Sequence, residues 1–97
     1  MSNENIEKLR QILEHYGTIP QIGKLREELK ELDEAAADYV KFPCFQNKSH
    51  FLEELADVTI MVEQMKISLN LDEQAEYYKW VEYKINRQIG RIENEKS

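Results

Sequence analysis

An all-α fold, a four-helix, bundle-like subunit that assembles into a dimer or tetramer, is predicted by three observations. The 97-residue chain carries only three Gly and two Pro to punctuate it. Its apolar residues recur at steps of three and four over long stretches, the spacing that lines one face of a helix. At 41% hydrophobic and 33% charged, it is too apolar for disorder. A chain this short is one domain, 1–97, with a modest core that a partner chain would complete.

The first helix spans about 4–16, where Ile6, Leu9, Leu13 and Tyr16 form a stripe and Gly17 supplies a left-handed stop. Thr18 is placed to cap a second helix over about 19–41. Gln21 is its capping-box partner, and Pro20 sits in the first turn, where a missing N–H costs little. The seam Ile22, Leu25, Leu29, Leu32, Ala36 and Tyr39 has the rhythm of a bundle helix. Residues 42–47 read as a connection, because Pro43 disfavours helix in the residue before it.

Asn47 or Ser49 caps a third helix over about 49–69. It is apolar on more than one side, through Leu52, Leu55, Ala56, Val58, Ile60, Met61, Val62, Met65 and Ile67. One neighbouring helix pair does not cover such a surface, which predicts a subunit interface as well as an internal core. Asn70 caps a fourth helix over about 72–93, with Glu73 as reciprocal partner and Tyr78, Val81, Ile85, Ile89 and Ile92 as its stripe. The tail from Glu93 reads as frayed.

Nineteen acidic against thirteen basic residues give a formal charge of −6, which repels a nucleic-acid backbone. The same excess suits a hard divalent cation, which prefers oxygen ligands. One cysteine, Cys44, forms no intrachain disulfide, and one Cys with two His builds no four-ligand zinc site. A reducing, cytoplasmic setting is expected, with no signal peptide, membrane span or nucleic-acid partner.

The chemistry is carried by acidic residues. Glu28 and Glu31 are three residues apart, as are Glu54 and Asp57, so each pair projects from one side of its helix. On a helical wheel Glu28 lies about 70° from the middle of the second helix's seam, and Ala35 shares its strip with room above for a ligand. On the third helix the strip through Glu54 and Asp57 continues as Val58, Met61 and Met65. Most Glu residues on helices are simply solvated. A carboxylate on a face that must be covered instead needs a counter-charge, because burying it unpaired costs several kcal/mol or leaves it protonated.

Glu27-Glu28-Leu29-Lys30-Glu31 followed by Glu54-Leu55-Ala56-Asp57 resembles the EExxE…ExxD signature of the all-α NTP pyrophosphohydrolases, a group that includes MazG, dimeric dUTPases and phosphoribosyl-ATP pyrophosphohydrolase. Lys24-Leu25-Arg26-Glu27-Glu28 and Glu53-Glu54-Leu55-Ala56-Asp57-Val58 are similar to the MazG-like branch, over about Gln21 to Arg91. The resemblance implies Glu28, Glu31, Glu54 and Asp57 as ligands of Mg²⁺, with Mn²⁺ as a substitute. It also implies attack at the α-phosphorus of a nucleoside triphosphate, releasing pyrophosphate and a nucleoside monophosphate, in nucleotide-pool house-cleaning. One of these carboxylates, or Glu27 beside them, would accept the proton of the attacking water.

On the fourth helix Trp80, Lys84, Arg87 and Arg91 fall on one flank beside the apolar stripe, which makes Lys84 and Arg87, then Arg91, candidate phosphate contacts. Gln21, Lys24, His50 and Trp80 complete the candidate substrate-binding set. A carboxylate/histidine di-iron site is disfavoured, since it wants Glu-x-x-His from each of two helices and the chain has Glu31 and Asp57 at those positions. A second class of reading is a non-catalytic helical oligomerisation and interaction module that keeps the fold. Within the enzyme class, a phosphoribosyl-ATP specialist is disfavoured by Thr59-Ile60-Met61 after Asp57.

Overall fold

The computed structural model describes residues 1–96, which form four α-helices and, among the described residues, no strand: α1 (Asn3–Tyr16), α2 (Thr18–Lys41), α3 (Phe45–Ile67) and α4 (Leu71–Lys96). Among the described residues, no helix is long and apolar enough to cross a membrane. The helix starts and stops follow local chemistry. Ser2 caps α1 by accepting a hydrogen bond from the Asn5 N–H, and the chain leaves α1 through Gly17, whose φ of 91° and ψ of 158° lie outside the expected left-handed helical region. Essentially only glycine adopts this conformation. Gly17→Ala is therefore expected to cost about 1–3 kcal/mol in urea unfolding through backbone strain alone, because an added Cβ would meet nothing closer than Pro20 Cδ at 3.7 Å.

Two expected caps are reassigned. Thr18 is the first residue of α2, Gly17 is the cap, and no side chain caps this end. Gln21 is not a capping partner; its amide is drawn into the core, where it donates to Gln64 Oε1 at 2.7 Å. Asn47 serves the end of α2 rather than the start of α3, its side-chain amide donating to Phe42 O at 2.9 Å and Asp38 O at 3.3 Å. The connection shrinks to Phe42–Cys44, closed by the Cys44 N–H donating to Phe42 O at 2.8 Å around Pro43, so α3 starts earlier than residue 49. The Asn70/Glu73 box forms as expected, with both reciprocal bonds at 2.9 Å. The tail from Glu93 is helical to Lys96, and Ser97 lies outside the described residues.

The three-residue connection folds α2 back on α3 as an antiparallel hairpin. Gln21 meets Gln64 at one end, and the Tyr39 and Phe51 rings lie 5.9 Å apart at the other. The buried line of α2 is Gln21, Glu28 and Ala35, flanked by half-buried Leu25, Leu32 and Tyr39. Relative to the expected seam, this face is turned by about 50°, since three of six positions move by one residue at ~100° each. Ile22 and Leu29 are left exposed on the flank. Ala35, 1% exposed, is used for close approach of the two helices rather than for ligand room. α1 lies across the hairpin and buries Leu9 and Leu13.

α4 departs from the expected bundle. Among the described residues, it meets the body through its first two turns, where Gln74, Tyr77 and Tyr78 line a common pocket with Arg10, Glu63 and Lys66. Lys66 Nζ lies 5.8 Å over the Tyr78 ring there. Every side chain from Lys79 to Lys96 is exposed, including the stripe Val81, Ile85, Ile89 and Ile92. The radius of gyration, 16.6 Å, exceeds the roughly 13 Å of a compact chain of this length. Three helices form the body and the fourth projects from it.

Candidate metal centre

Antiparallel pairing of α2 and α3 sets Glu28 opposite Glu54 and Asp57. One carboxylate oxygen from each lies within 4.8 Å of the others. Glu28 is 7% and Glu54 9% exposed, and Asp57 is half-buried. Adjacent oxygens around an octahedral Mg²⁺ stand ~3 Å apart at the usual 2.0–2.1 Å bond length, so small side-chain rotations would bring all three onto one ion. The donor set is all oxygen, the kind that hard cations such as Mg²⁺ and Mn²⁺ prefer.

Each buried glutamate is half satisfied. Lys24 Nζ lies 3.2 Å from Glu28 Oε1 and 3.6 Å from Glu27 Oε2, while His50 Nε2 lies 3.3 Å from Glu54 Oε1. The other oxygens, Glu28 Oε2 and Glu54 Oε2, are buried and, with Glu31 ionised, have no hydrogen-bond partner among the described residues. Buried polar atoms are nearly always paired, and an unpaired carboxylate oxygen away from water is costly. Two such orphans on neighbouring glutamates are acceptors that a bound cation could satisfy.

Glu31 is exposed and stands at the edge of the cluster, outside the three-residue group. Its carboxyl titrates above the ordinary value of 4.5, first because the Glu28 charge repels its own and then because Glu28 hydrogen-bonds its protonated form; lost solvation and the Glu54 charge add to the shift, and Lys24 opposes it. In the pH window just above that ordinary value the folded chain thus holds more of Glu31's proton than the unfolded chain does, and stability falls as pH rises. Urea titrations across this window are expected to show wild type losing stability relative to Glu31→Gln as pH rises toward neutrality. A difference independent of pH would contradict this repulsion.

Beside the carboxylates a cleft of about 660 Å³ opens between the end of α1, the first half of α2 and the middle of α3. Its apolar wall is Ile12, Tyr16, Pro20, Ile60 and Met61, and its polar wall runs from Gln21 and Gln64 through Lys24 and Glu27 to Glu28 and Asp57. This size and mixed lining are those of a small-molecule site. Gln64, 1% exposed, accepts from Gln21 and turns its own amide nitrogen toward Met61 Sδ at 3.9 Å. The pair is thereby locked with Gln21 on the cleft side. Sequence reasoning missed Gln64, although a polar residue one turn beyond Met61 on the strip of Glu54 and Asp57 is a readable signal.

The candidate set divides. Glu28, Glu54, Asp57, Glu27, Gln21 and Lys24 come together around the cluster and cleft, with His50 on the Glu54 side and Glu31 at the rim. Lys84, Arg87, Arg91 and Trp80 do not join them within one chain. They stand on the exposed part of α4, where Trp80 packs edge-on against Tyr83 at 6.0 Å and Arg87 lies 5.8 Å over the same ring. α4 projects from the body instead of closing the bundle, so its cations do not face the carboxylates of their own chain. Comparison with family models, curated proteins and solved structures yields no match to this chain.

Proposed function

We propose that the chain is a Mg²⁺-dependent nucleoside triphosphate pyrophosphohydrolase of the MazG-like, all-α kind, working in nucleotide-pool house-cleaning as a homo-oligomer. The observation that carries this reading is the convergence of Glu28, Glu54 and Asp57 from two helices at the wall of a cleft of about 660 Å³, with two buried carboxylate oxygens left without partners. Glu28, Glu54 and Asp57 would hold the cation, with Glu31 joining from the rim. When bound, Mg²⁺ or Mn²⁺ supplies charge neutralisation on the phosphate oxygens and lowers the pKa of a water.

The chain's own groups do the rest. Ile12, Tyr16 and Met61 offer apolar cover to a base, and the Gln21 amide, fixed by Gln64, is placed to hydrogen-bond its edge. Glu27, exposed and beside Glu28, is placed to take the proton of the water that attacks the α-phosphorus. Lys84, Arg87, Arg91 and Trp80 serve the phosphates and base only if α4 of a second copy reaches the cleft. That is why the proposal includes an oligomer. The test is pyrophosphate release from a panel of ribo- and deoxyribonucleoside triphosphates with Mg²⁺, and absence of release from every member rejects the activity.

One observation favours the second reading, a non-catalytic oligomerisation module: the long, uncovered apolar stripe of α4. Calorimetric titration with Mg²⁺ separates the two. Binding lost in Glu28→Gln and Asp57→Asn supports the enzyme, whereas no binding in the wild type, with or without nucleotide, leaves only the module.

A further inference from the structure

We infer that Lys24 is an exchangeable counter-ion: without metal it neutralises Glu28, and when a divalent cation binds Glu28 it turns into the adjoining cleft and holds the phosphates of the ligand. This rests on the metal-dependent triphosphate reading and deepens it by naming the group that couples cation to anion. Glu28 is the fixed partner, its side chain 9% exposed and one of its oxygens buried without a donor. Lys24 is the movable one, its side chain 51% exposed on a flexible four-carbon stem that lines the cleft.

The geometry makes the exchange directional. The ammonium lies 3.2 Å from Glu28 Oε1 and 3.6 Å from Glu27 Oε2. A dication held by Glu28, Glu54 and Asp57 repels this ammonium and competes with it for the same carboxylate. A bound triphosphate brings a larger negative charge into the space Lys24 already borders. Half-exposed ion pairs are weak, so the carboxylate is readily surrendered. The consequence is a pair of opposite signs: removing the lysine charge removes a competitor of the metal and a contact of the anion. A merely structural lysine, holding Glu28 in its rotamer, would weaken both when removed.

The experiment titrates Mn²⁺ into wild type, Lys24→Met and Lys24→Arg by calorimetry, then titrates inorganic triphosphate at saturating Mn²⁺, with helicity checked by circular dichroism. Lys24→Met is expected to bind Mn²⁺ about threefold more tightly and inorganic triphosphate about fivefold or more weakly, the scale of one half-exposed charge pair. Lys24→Arg, which keeps the charge, stays nearer wild type in both. Metal binding unchanged or weakened in Lys24→Met, or triphosphate binding unchanged, overturns the exchange while leaving the metal site standing. A wild type that takes up no Mn²⁺ overturns the exchange and the metal-dependent reading together.

Discussion

Glu54→Gln is expected to lower pyrophosphate release at least about 100-fold, more than the loss of a group that merely supports a metal ligand, while leaving the fold as stable as wild type or more so. Both halves come from the same atoms. Glu54 Oε2 is buried without a hydrogen-bond donor, and the Glu54 carboxylate lies in the cluster with Glu28 and Asp57, so the fold without metal carries converging negative charge that nothing of its own fully offsets. The amide has the same shape and removes one charge of the three. It forfeits only the 3.3 Å contact with His50, whose side chain is half-exposed, and such a contact is worth at most about 1 kcal/mol. Removal of a charge strained for function stabilises a protein as it inactivates it. Urea unfolding without metal and pyrophosphate release with Mg²⁺, run on the same preparations, give the two readings. Wild-type activity in Glu54→Gln would remove Glu54 from the site, and a large loss of stability would mean that the carboxylate is a structural anchor.

The second large effect concerns assembly. The chain exposes 7783 Å², against roughly 5,800 Å² for a folded monomer of this mass. The excess is more than twice the ~800 Å² that one partner contributes to a standard interface. Its buried apolar residues are few, Leu9, Leu13, Ala35, Val58 and Met61, while Ile85 and Ile89 on α4 are 57% and 49% exposed. The double substitution Ile85→Glu, Ile89→Glu is expected to yield a monomer by sedimentation and to lower the thermal midpoint sharply. Each isoleucine forfeits about 2 kcal/mol of burial, and each new carboxylate resists desolvation. For the wild type, the unfolding midpoint should climb with protein concentration, since dissociation accompanies unfolding. A wild type that sediments as a monomer with a concentration-independent midpoint would remove the oligomer. With it would go the route by which Lys84 and Arg87 reach a cleft.

Reading the chain in order locates the helices well, because capping and punctuation are local. Asn70 and Glu73 sit three residues apart and form the box their chemistry dictates. The errors fall where a side chain had a choice of partners. Gln21 was within reach of a cap and went to Gln64, 43 residues away in sequence but adjacent across the hairpin. Asn47 had a helix start to serve and served the preceding helix end. For Gln21 the tertiary partner offered a buried hydrogen bond that the local one did not; for Asn47 the end of α2 offered two carbonyls at once.

The same division holds for the site. Helical spacing alone puts Glu28 and Glu31 on one side of α2 and Glu54 and Asp57 on one side of α3, because rise and turn per residue are properties of the backbone. It did not select the face of α2 that packs on α3. The apolar set with Ile22 and Leu29 and the polar set with Gln21 and Glu28 share the same period, so periodicity cannot rank them. Pairing across the hairpin ranked them, carrying Glu28 from the border of the core into its middle and leaving Glu31 at the rim. For α4, sequence determined the helix, its cap and its stripe. Only the tertiary structure decided that this stripe stays uncovered within one chain and that its cations stand apart from the carboxylates, because which surfaces meet depends on the packing of whole helices rather than on the pattern along any one of them.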